Sequence, residues 1–192
     1  MNPKIFLSSF LVLLSAIAAC QSDDAFKGTE LEGIPATDFT LTDQNGQPFT
    51  LSDQVGKVVV MFFGYTYCPD VCPATLSKWK QVQDALGDQT NEVKFVYITV
   101  DPERDTVEKL KAHLAVYSQD FVGLTGSKED LLKVYNGYGV YREIDKISDS
   151  ATGYLVSHTS RIFVFDRKGE WRLGIANDAS VQDIVHDLKV LL

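Results

Sequence analysis

Basic residues are in the minority in this chain, and their shortage limits what it can bind. The 192 residues include 18 lysines and arginines against 26 acidic residues, which gives a formal charge of −8. Binding to nucleic acid depends on a clustered basic face, so this balance argues against DNA or RNA as a partner. The sequence also lacks internal repeats and low-complexity tracts, and its length favours one domain.

The N-terminal apolar run, residues 5–17, falls short of the ~20 residues that span a membrane comfortably. Because Lys4 precedes it and small residues follow it, the run has the pattern of a secretory signal. Cys20 comes directly after two alanines, which resembles a bacterial lipoprotein cleavage box; ordinary cleavage that leaves Cys20 as a free thiol is the alternative. We expect residues 1–19 to be a lipoprotein signal peptide, Cys20 to be lipidated, and residues 20–35 to form a lipid anchor and flexible tether.

The remaining segment, residues 36–192, alternates strand and helix patterns. Residues 58–63 form a continuous apolar run with β-branched side chains, which is typical of a central strand buried on both faces. Residues 93–100 predict a second central strand, and the helix between the two should end at Gly87. Further elements are expected as helices near 106–117 and 127–138, a hairpin over 162–175 and a last helix opened by Ser180. This order predicts an α/β fold, with a central mixed β-sheet and helices on both faces. Together with a cysteine pair at the start of the first helix, it resembles the thioredoxin fold, with extra N-terminal strands and an insertion around residues 120–157.

Apart from Cys20, the cysteines are Cys68 and Cys72, separated by three residues. A bridge between them would close a very small loop and would constrain the unfolded chain little, so the pair is better suited to chemistry than to stapling. The pair follows a buried strand and opens a helix, where the helix N-terminus should depress a thiol pKa. A thiolate is both a nucleophile and a soft metal ligand, so redox and metal functions both remain open. The spacing is one residue longer than in typical thioredoxin-like oxidoreductases, and this suits chelation of an ion better than rapid exchange.

No proline follows Pro102, so the cis-proline that such oxidoreductases usually place beside their disulfide cannot be present. His158 stands in that loop instead, just before the strand expected at 161–165. Two thiolates and one imidazole suit Cu(I), which tolerates three ligands, whereas Zn(II) would need a fourth ligand. The same donors remain compatible with copper after its oxidation to Cu(II). The alternative is a buried histidine that fixes the loop by hydrogen bonding. His113 and His186 lie within expected helices and are interpreted as packed or solvated residues.

At this point the sequence resembles the Sco/SenC family. The segments that carry the resemblance are residues 64–73 (GYTYCPDVCP), 100–106 (VDPERDT) and 157–160 (SHTS). The resemblance implies a membrane-tethered, thioredoxin-like protein that binds copper through Cys68, Cys72 and His158 and is associated with assembling the binuclear copper centre of cytochrome c oxidase. It also implies that Asp101 matters for metal handling, as a second-shell partner of a ligand or of positive charge at the site; capping of the turn before the next helix is an equal alternative.

These observations predict a copper chaperone, not an enzyme with turnover, anchored by lipid on the extracytoplasmic (periplasmic) side of a membrane. Its expected partner is the copper-bearing subunit of cytochrome c oxidase or another copper chaperone. The alternative is a thiol–disulfide oxidoreductase or redox sensor in which Cys68 and Cys72 form a redox-active disulfide and keep oxidase-subunit cysteines reduced. A peroxiredoxin-like peroxidase is excluded because Thr66 lies only two residues before Cys68, which breaks that motif.

Overall fold

The computed structural model describes residues 25–146 and 153–192 of the chain. The strands within these ranges are β1 (Thr29–Pro35), β2 (Thr40–Asp43), β3 (Pro48–Thr50), β4 (Val58–Gly64), β5 (Val93–Thr99), β6 (Val122–Thr125), β7 (Arg142–Lys146), β8 (Tyr154–His158), β9 (Ile162–Phe165) and β10 (Glu170–Ile175). The helices are α1 (Val71–Leu86), α2 (Val107–Ala115), α3 (Lys128–Gly137) and α4 (Val181–Leu191). In the described part of the chain, no helix has the length and apolar character needed to cross a membrane.

Eight strands form one mixed sheet in the order β1-β10-β9-β4-β5-β6-β2-β3. The neighbours β4, β5 and β6 run parallel, while β9 pairs antiparallel with β4 on the other side. Every residue of β4 is buried, which is why its sequence reads as an unbroken apolar run. The strands β7 and β8 pair only with each other, as a small separate sheet within the predicted insertion.

Helices cover both faces of the large sheet. Successive side chains of a strand point to opposite faces, and Phe62 and Phe63 of β4 show the division. The Phe62 ring packs against Trp79 of α1, whereas the Phe63 ring packs against Tyr135 of α3. Because α4 packs against α1, it lies on the same face as Phe62. The predicted fold class, with its N-terminal strands and its insertion, is confirmed.

The predicted domain boundary at residue 36 was wrong. Residues Thr29–Pro35, expected in the tether, form β1 and pair antiparallel with β10 at the edge of the sheet. Most of their side chains are exposed, and Gly33 adopts a positive φ of 70° where the register shifts. Such an edge strand has no alternating apolar pattern, because its backbone pairing holds it in place. The predicted signal peptide, Cys20 and the tether residues 21–24 lie outside the described residues.

Two further boundaries differ from the expectation. Helix α1 begins at Val71, so that Cys72 is already helical and Pro73 is the third helical residue instead of the first. Proline is tolerated there because amides of the first turn have no intrahelical partner. Strand β8 extends to His158, which was expected in a loop. Pairing of His158 with Arg142 of β7 explains the extra length.

Candidate metal centre

Three potential ligands converge at one end of the large sheet. Cys68 lies in the loop after β4, Cys72 lies in the first turn of α1, and His158 ends β8. Their sulfur and ring-nitrogen atoms all lie within 4.8 Å of one another, and Cys72 Sγ is 3.6 Å from His158 Nε2. Within the described ranges this is the one group of three or more histidine, cysteine or acidic side chains with the spacing of a metal site.

The loop geometry brings the two sulfurs together. The backbone amide of Cys68 donates to the carbonyl of Tyr65, which turns the chain after β4. The amide of Cys72 then donates to Cys68 Sγ at 3.5 Å, while Asp70, at the N-cap position, makes no side-chain capping bond. The Cys68 sulfur therefore accepts one of the amides that a helix N-terminus leaves without a partner. That position favours negative charge on the sulfur.

A buried carboxylate, that of Asp105, fixes the start of the same loop. It accepts hydrogen bonds from the Thr66 amide at 3.1 Å and the Thr66 hydroxyl at 2.6 Å. It also accepts one from the Thr99 hydroxyl at 2.7 Å, at the end of β5. Burial raises the pKa of Asp105, and the threonine donors oppose that effect. Asp105 thus joins the end of β5 to the residue two positions before Cys68.

The orientation of His158 leaves one ring nitrogen for the thiols. His158 Nδ1 lies 2.9 Å from the carbonyl oxygen of Thr159, which can only accept, so Nδ1 carries the proton. Nε2 is then the ring nitrogen that faces Cys72. The ring packs edge-on against Phe62 and Tyr65, with centroids 6.0 and 5.8 Å away. These contacts fix the orientation of the imidazole ring.

The two cysteines differ in burial and in acidity. Both are unlinked thiols; Cys68 is partly exposed and Cys72 is fully buried. The hydrogen bond from the Cys72 thiol lowers the pKa of Cys68, burial opposes this, and His158 lowers that pKa further. Burial raises the pKa of Cys72, and its bond to Cys68 raises it further. A single proton is therefore retained on the inner sulfur while the outer sulfur is the thiolate.

Asp101 lies near the site without touching a thiol or the imidazole. Its fully buried carboxylate accepts from the Tyr154 hydroxyl at 2.7 Å and pairs with Arg104. The Arg104 guanidinium stacks on the Tyr154 ring at 3.6 Å and on the Tyr67 ring at 4.8 Å. The Asp101 backbone carbonyl also accepts from Arg104 and Asp105 in the turn before α2. Asp101 therefore anchors the first residue of β8, the strand that carries His158.

A tyrosine provides a second connection between the cysteine loop and β8. The hydroxyl oxygen of buried Tyr65 accepts a hydrogen bond from the Val156 amide at 3.2 Å. Sequence reasoning missed Tyr65, Asp105 and Arg104 as supports of the site. All three lie within the segments that carry the family resemblance, but their roles depend on contacts with distant residues.

The other two histidines, His113 and His186, do not belong to the group of three ligands. His113 of α2 packs between the rings of Tyr97 and Tyr117, and burial lowers its pKa. His186 of α4 lies beside the buried carboxylate of Asp187. Both are packed helix residues, in agreement with their interpretation from the sequence.

The fold and the site together define a thioredoxin-like protein with two thiols and one imidazole where an oxidoreductase carries its disulfide and cis-proline. The model of the SCO1/SenC family matches residues 29–192. The chain therefore belongs to the SCO1/SenC family, and the resemblance seen in the sequence is confirmed.

Individual relatives show the same likeness. A protein from Stutzerimonas stutzeri, named a putative copper-binding protein, is 37% identical over 133 residues, which are 69% of this chain and 64% of that protein. The structure of Bradyrhizobium japonicum ScoI with copper bound has 35% identity and a TM-score of 0.76, covering 82% of this chain and 99% of that one. The crystal structure of a SCO1/SenC family lipoprotein from Bacillus anthracis has 29% identity and a TM-score of 0.72, covering 87% and 99%.

Proposed function

We propose that this protein is a copper chaperone that holds Cu(I) between Cys68, Cys72 and His158 and passes it to the binuclear copper site of cytochrome c oxidase. The observation that carries the proposal is the convergence of two sulfurs and an imidazole nitrogen within 4.8 Å. Soft thiolates with one imidazole match Cu(I), and three donors satisfy its low coordination number. The copper-bound relative from Bradyrhizobium japonicum and the name of the Stutzerimonas protein support copper as the cargo.

The difference between the two thiols supports transfer of the ion. Copper binding releases the proton that Cys72 retains, so that both sulfurs become thiolate ligands. Cys68 is partly exposed, and a thiolate or thioether of the partner can reach copper from that side. The ion then moves by ligand exchange without a change in its oxidation state. This is delivery of a cargo and not catalytic turnover.

Titration of the reduced chain with Cu(I) under anaerobic conditions tests the proposal. We expect saturation near one equivalent, and we expect His158→Ala to weaken binding strongly because one of three donors is lost. His186→Ala is the matched control, since His186 lies in α4 and does not belong to the group of three ligands. Equal binding by wild type and His158→Ala would contradict the proposed site.

The proposal includes a membrane anchor. Residues 1–19 serve as a lipoprotein signal, and Cys20 carries lipid that holds the domain on the extracytoplasmic side of a membrane. The sequence pattern before Cys20 supports this, as does the relative from Bacillus anthracis that is described as a lipoprotein. Fractionation of cells that express Cys20→Ser should move the protein from the membrane to the soluble fraction. Retention of that variant in the membrane would count against the anchor.

Thiol–disulfide exchange is the second candidate, and the unequal thiols favour it. The Cys68 thiolate would attack a disulfide of the partner, releasing one partner thiolate and forming a mixed disulfide. Cys72 would lose its proton and attack the Cys68 sulfur, which releases the second partner thiol and leaves a Cys68–Cys72 disulfide. The two electrons come from this pair, so an external dithiol must reduce it again. Reductase activity that survives His158→Ala but is lost in Cys68→Ser would favour this candidate.

A further inference from the structure

A cavity with an aromatic floor lies beside the strand that carries His158. Its volume is about 420 Å³, within the range of about 300–1,000 Å³ that ligand pockets span. The rings of Tyr138, Phe163 and Trp171 form the floor, with centroids between 5.1 and 6.3 Å apart. The Phe163 ring also packs against Phe63, so the cavity opens on the sheet face that α3 covers.

Hydrogen bonds hold the walls of this cavity in place. The Thr159 amide donates to the Tyr141 carbonyl at 3.2 Å, and the Thr159 hydroxyl accepts from the Tyr141 amide at 2.9 Å. On the side of the loop after β10, the ammonium group of Lys78 donates to the carbonyls of Asn177 and Ala179 at 2.7 and 2.6 Å. A cavity that is already formed needs little ordering when a partner binds in it.

Arg161 supplies the positive charge of the cavity. The other arginines each pair with a carboxylate of the chain; these are Arg104, Arg142, Arg167 and Arg172. Exposed Arg161 forms no ion pair with any of the described residues. Its side chain lies across Gly174 of β10, where a β-carbon would be 3.0 Å from the Arg161 Cδ atom. The guanidinium is therefore available to a carboxylate that comes from outside the chain.

The cavity adjoins the metal centre through Thr159, which lines it. The Thr159 carbonyl oxygen lies 2.9 Å from His158 Nδ1. Ser160 also lines the cavity, and its Cα atom lies within ~7 Å of that of His158 because two residues span no more than this. An extended segment advances ~3.3 Å per residue, so one that is bound in the cavity reaches the metal centre within a few residues.

We propose that this cavity, the Arg161 cavity, is the docking site for an acidic segment of the protein that receives copper. A carboxylate of that segment pairs with the Arg161 guanidinium, and an apolar side chain beside it packs on the Trp171 ring. Arginine and carboxylate form two parallel hydrogen bonds, which fix the orientation of the recipient as well as its position. The inference rests on the proposed copper delivery and adds to it the surface that recognises the recipient.

Arg161→Glu tests this role without changing a metal ligand. The full-length chain in detergent is loaded with Cu(I) and mixed with the isolated copper-bearing domain of the cytochrome c oxidase subunit, whose copper content is followed with time. We expect an unchanged Cu(I) affinity but a transfer rate about tenfold lower at low ionic strength, because the reversed charge repels the carboxylate. The difference should shrink at high salt, which screens exposed charges.

Lys168→Glu is the matched control. It makes the same change of charge at an exposed residue, but in the turn between β9 and β10, at the end of these strands remote from the Arg161 cavity. This variant should transfer copper at the wild-type rate. Arg161→Lys keeps the charge and should recover part of the rate that Arg161→Glu loses.

The outcomes separate the docking site from the delivery function. If wild type transfers no copper to the domain, the delivery function fails and the docking site fails with it. If wild type transfers copper and Arg161→Glu matches its rate at low ionic strength, delivery stands and the docking site is refuted. If analytical ultracentrifugation shows a wild-type dimer that Arg161→Glu dissociates, a second copy of this chain occupies the cavity, which also refutes the proposal.

Discussion

Replacing Asp105 by alanine should damage both the fold and the metal centre, although Asp105 touches no ligand. The substitution removes the acceptor of three donors: the amide and hydroxyl of partly buried Thr66 and the hydroxyl of buried Thr99. If each hydrogen bond contributes about 1 kcal/mol net, the variant should lose about 3 kcal/mol of folding stability. For a domain of this size, 3 kcal/mol lowers the melting temperature by about 6–12 °C.

The stability that Asp105→Ala loses should be larger at low pH than at neutral pH. Burial raises the pKa of Asp105 in the folded protein above the ordinary value of an aspartate, so the folded state holds the proton more tightly than the unfolded state. The contribution of Asp105 to stability is therefore complete below the unfolded pKa and decreases as the pH rises through the folded pKa. Urea denaturation of wild type and Asp105→Ala should show a larger difference at pH 4 than at pH 7.

Asp187→Ala provides the control for the effect on copper. Asp187 is a buried carboxylate that accepts from the amides of Lys27 and Gly28 at 2.7 and 2.8 Å, remote from the metal centre. Both variants should lose stability, but only Asp105→Ala should also lose about tenfold in Cu(I) affinity, because the loop that carries Cys68 is released. Three lost bonds should cost roughly 3 kcal/mol in the free energy of unfolding. This reasoning would be refuted if the unfolding free energy of Asp105→Ala stayed within about 1 kcal/mol of wild type at both pH values.

Three further predictions concern the thiols, the sheet and the domain boundary. Because the pKa of Cys68 is lowered and that of buried Cys72 is raised, iodoacetamide at pH 6 should label Cys68 and not Cys72, as read by mass spectrometry; labelling of Cys72 would contradict the assignment. Gly64→Ala should cost about 1–3 kcal/mol in chemical denaturation, because the new β-carbon overlaps the Tyr97 ring. Adding Tyr97→Phe should recover only part of that loss, since ring carbons would still lie 2.8 Å away; full recovery would place the clash elsewhere. Truncation that removes residues 29–35 should lower stability by about 1–2 kcal/mol relative to truncation before residue 29, and an unchanged melting curve would mean that β1 is dispensable.

Local features of the sequence predicted most of the elements. The apolar run of β4 identified it as a central strand, and all seven of its residues are buried. Thr106, Ser127 and Ser180 precede α2, α3 and α4, and the side chain of each accepts from an amide in the first turn. Such caps act over three residues, so neighbouring residues alone are enough to reveal them.

Strand β1 was missed because its stability comes from residues far along the chain. Its partners in β10 lie about 140 positions away, as in the pairing of Thr29 with Gly174. An edge strand with exposed side chains carries no alternation, and Gly33 and Pro35 are more typical of a linker. Only the hydrogen bonds to the sheet distinguish this segment from a tether.

The sequence by itself determined the donors of the metal centre. These are two thiols four positions apart at a helix start, and a histidine at the place where related oxidoreductases carry a cis-proline. The tertiary structure alone decided how those donors are held and tuned. Asp105 and Tyr65 act through contacts with residues far along the chain, which no sequence spacing records. Ligand identity is a property of individual side chains, whereas burial, orientation and hydrogen bonding belong to the packed chain as a whole.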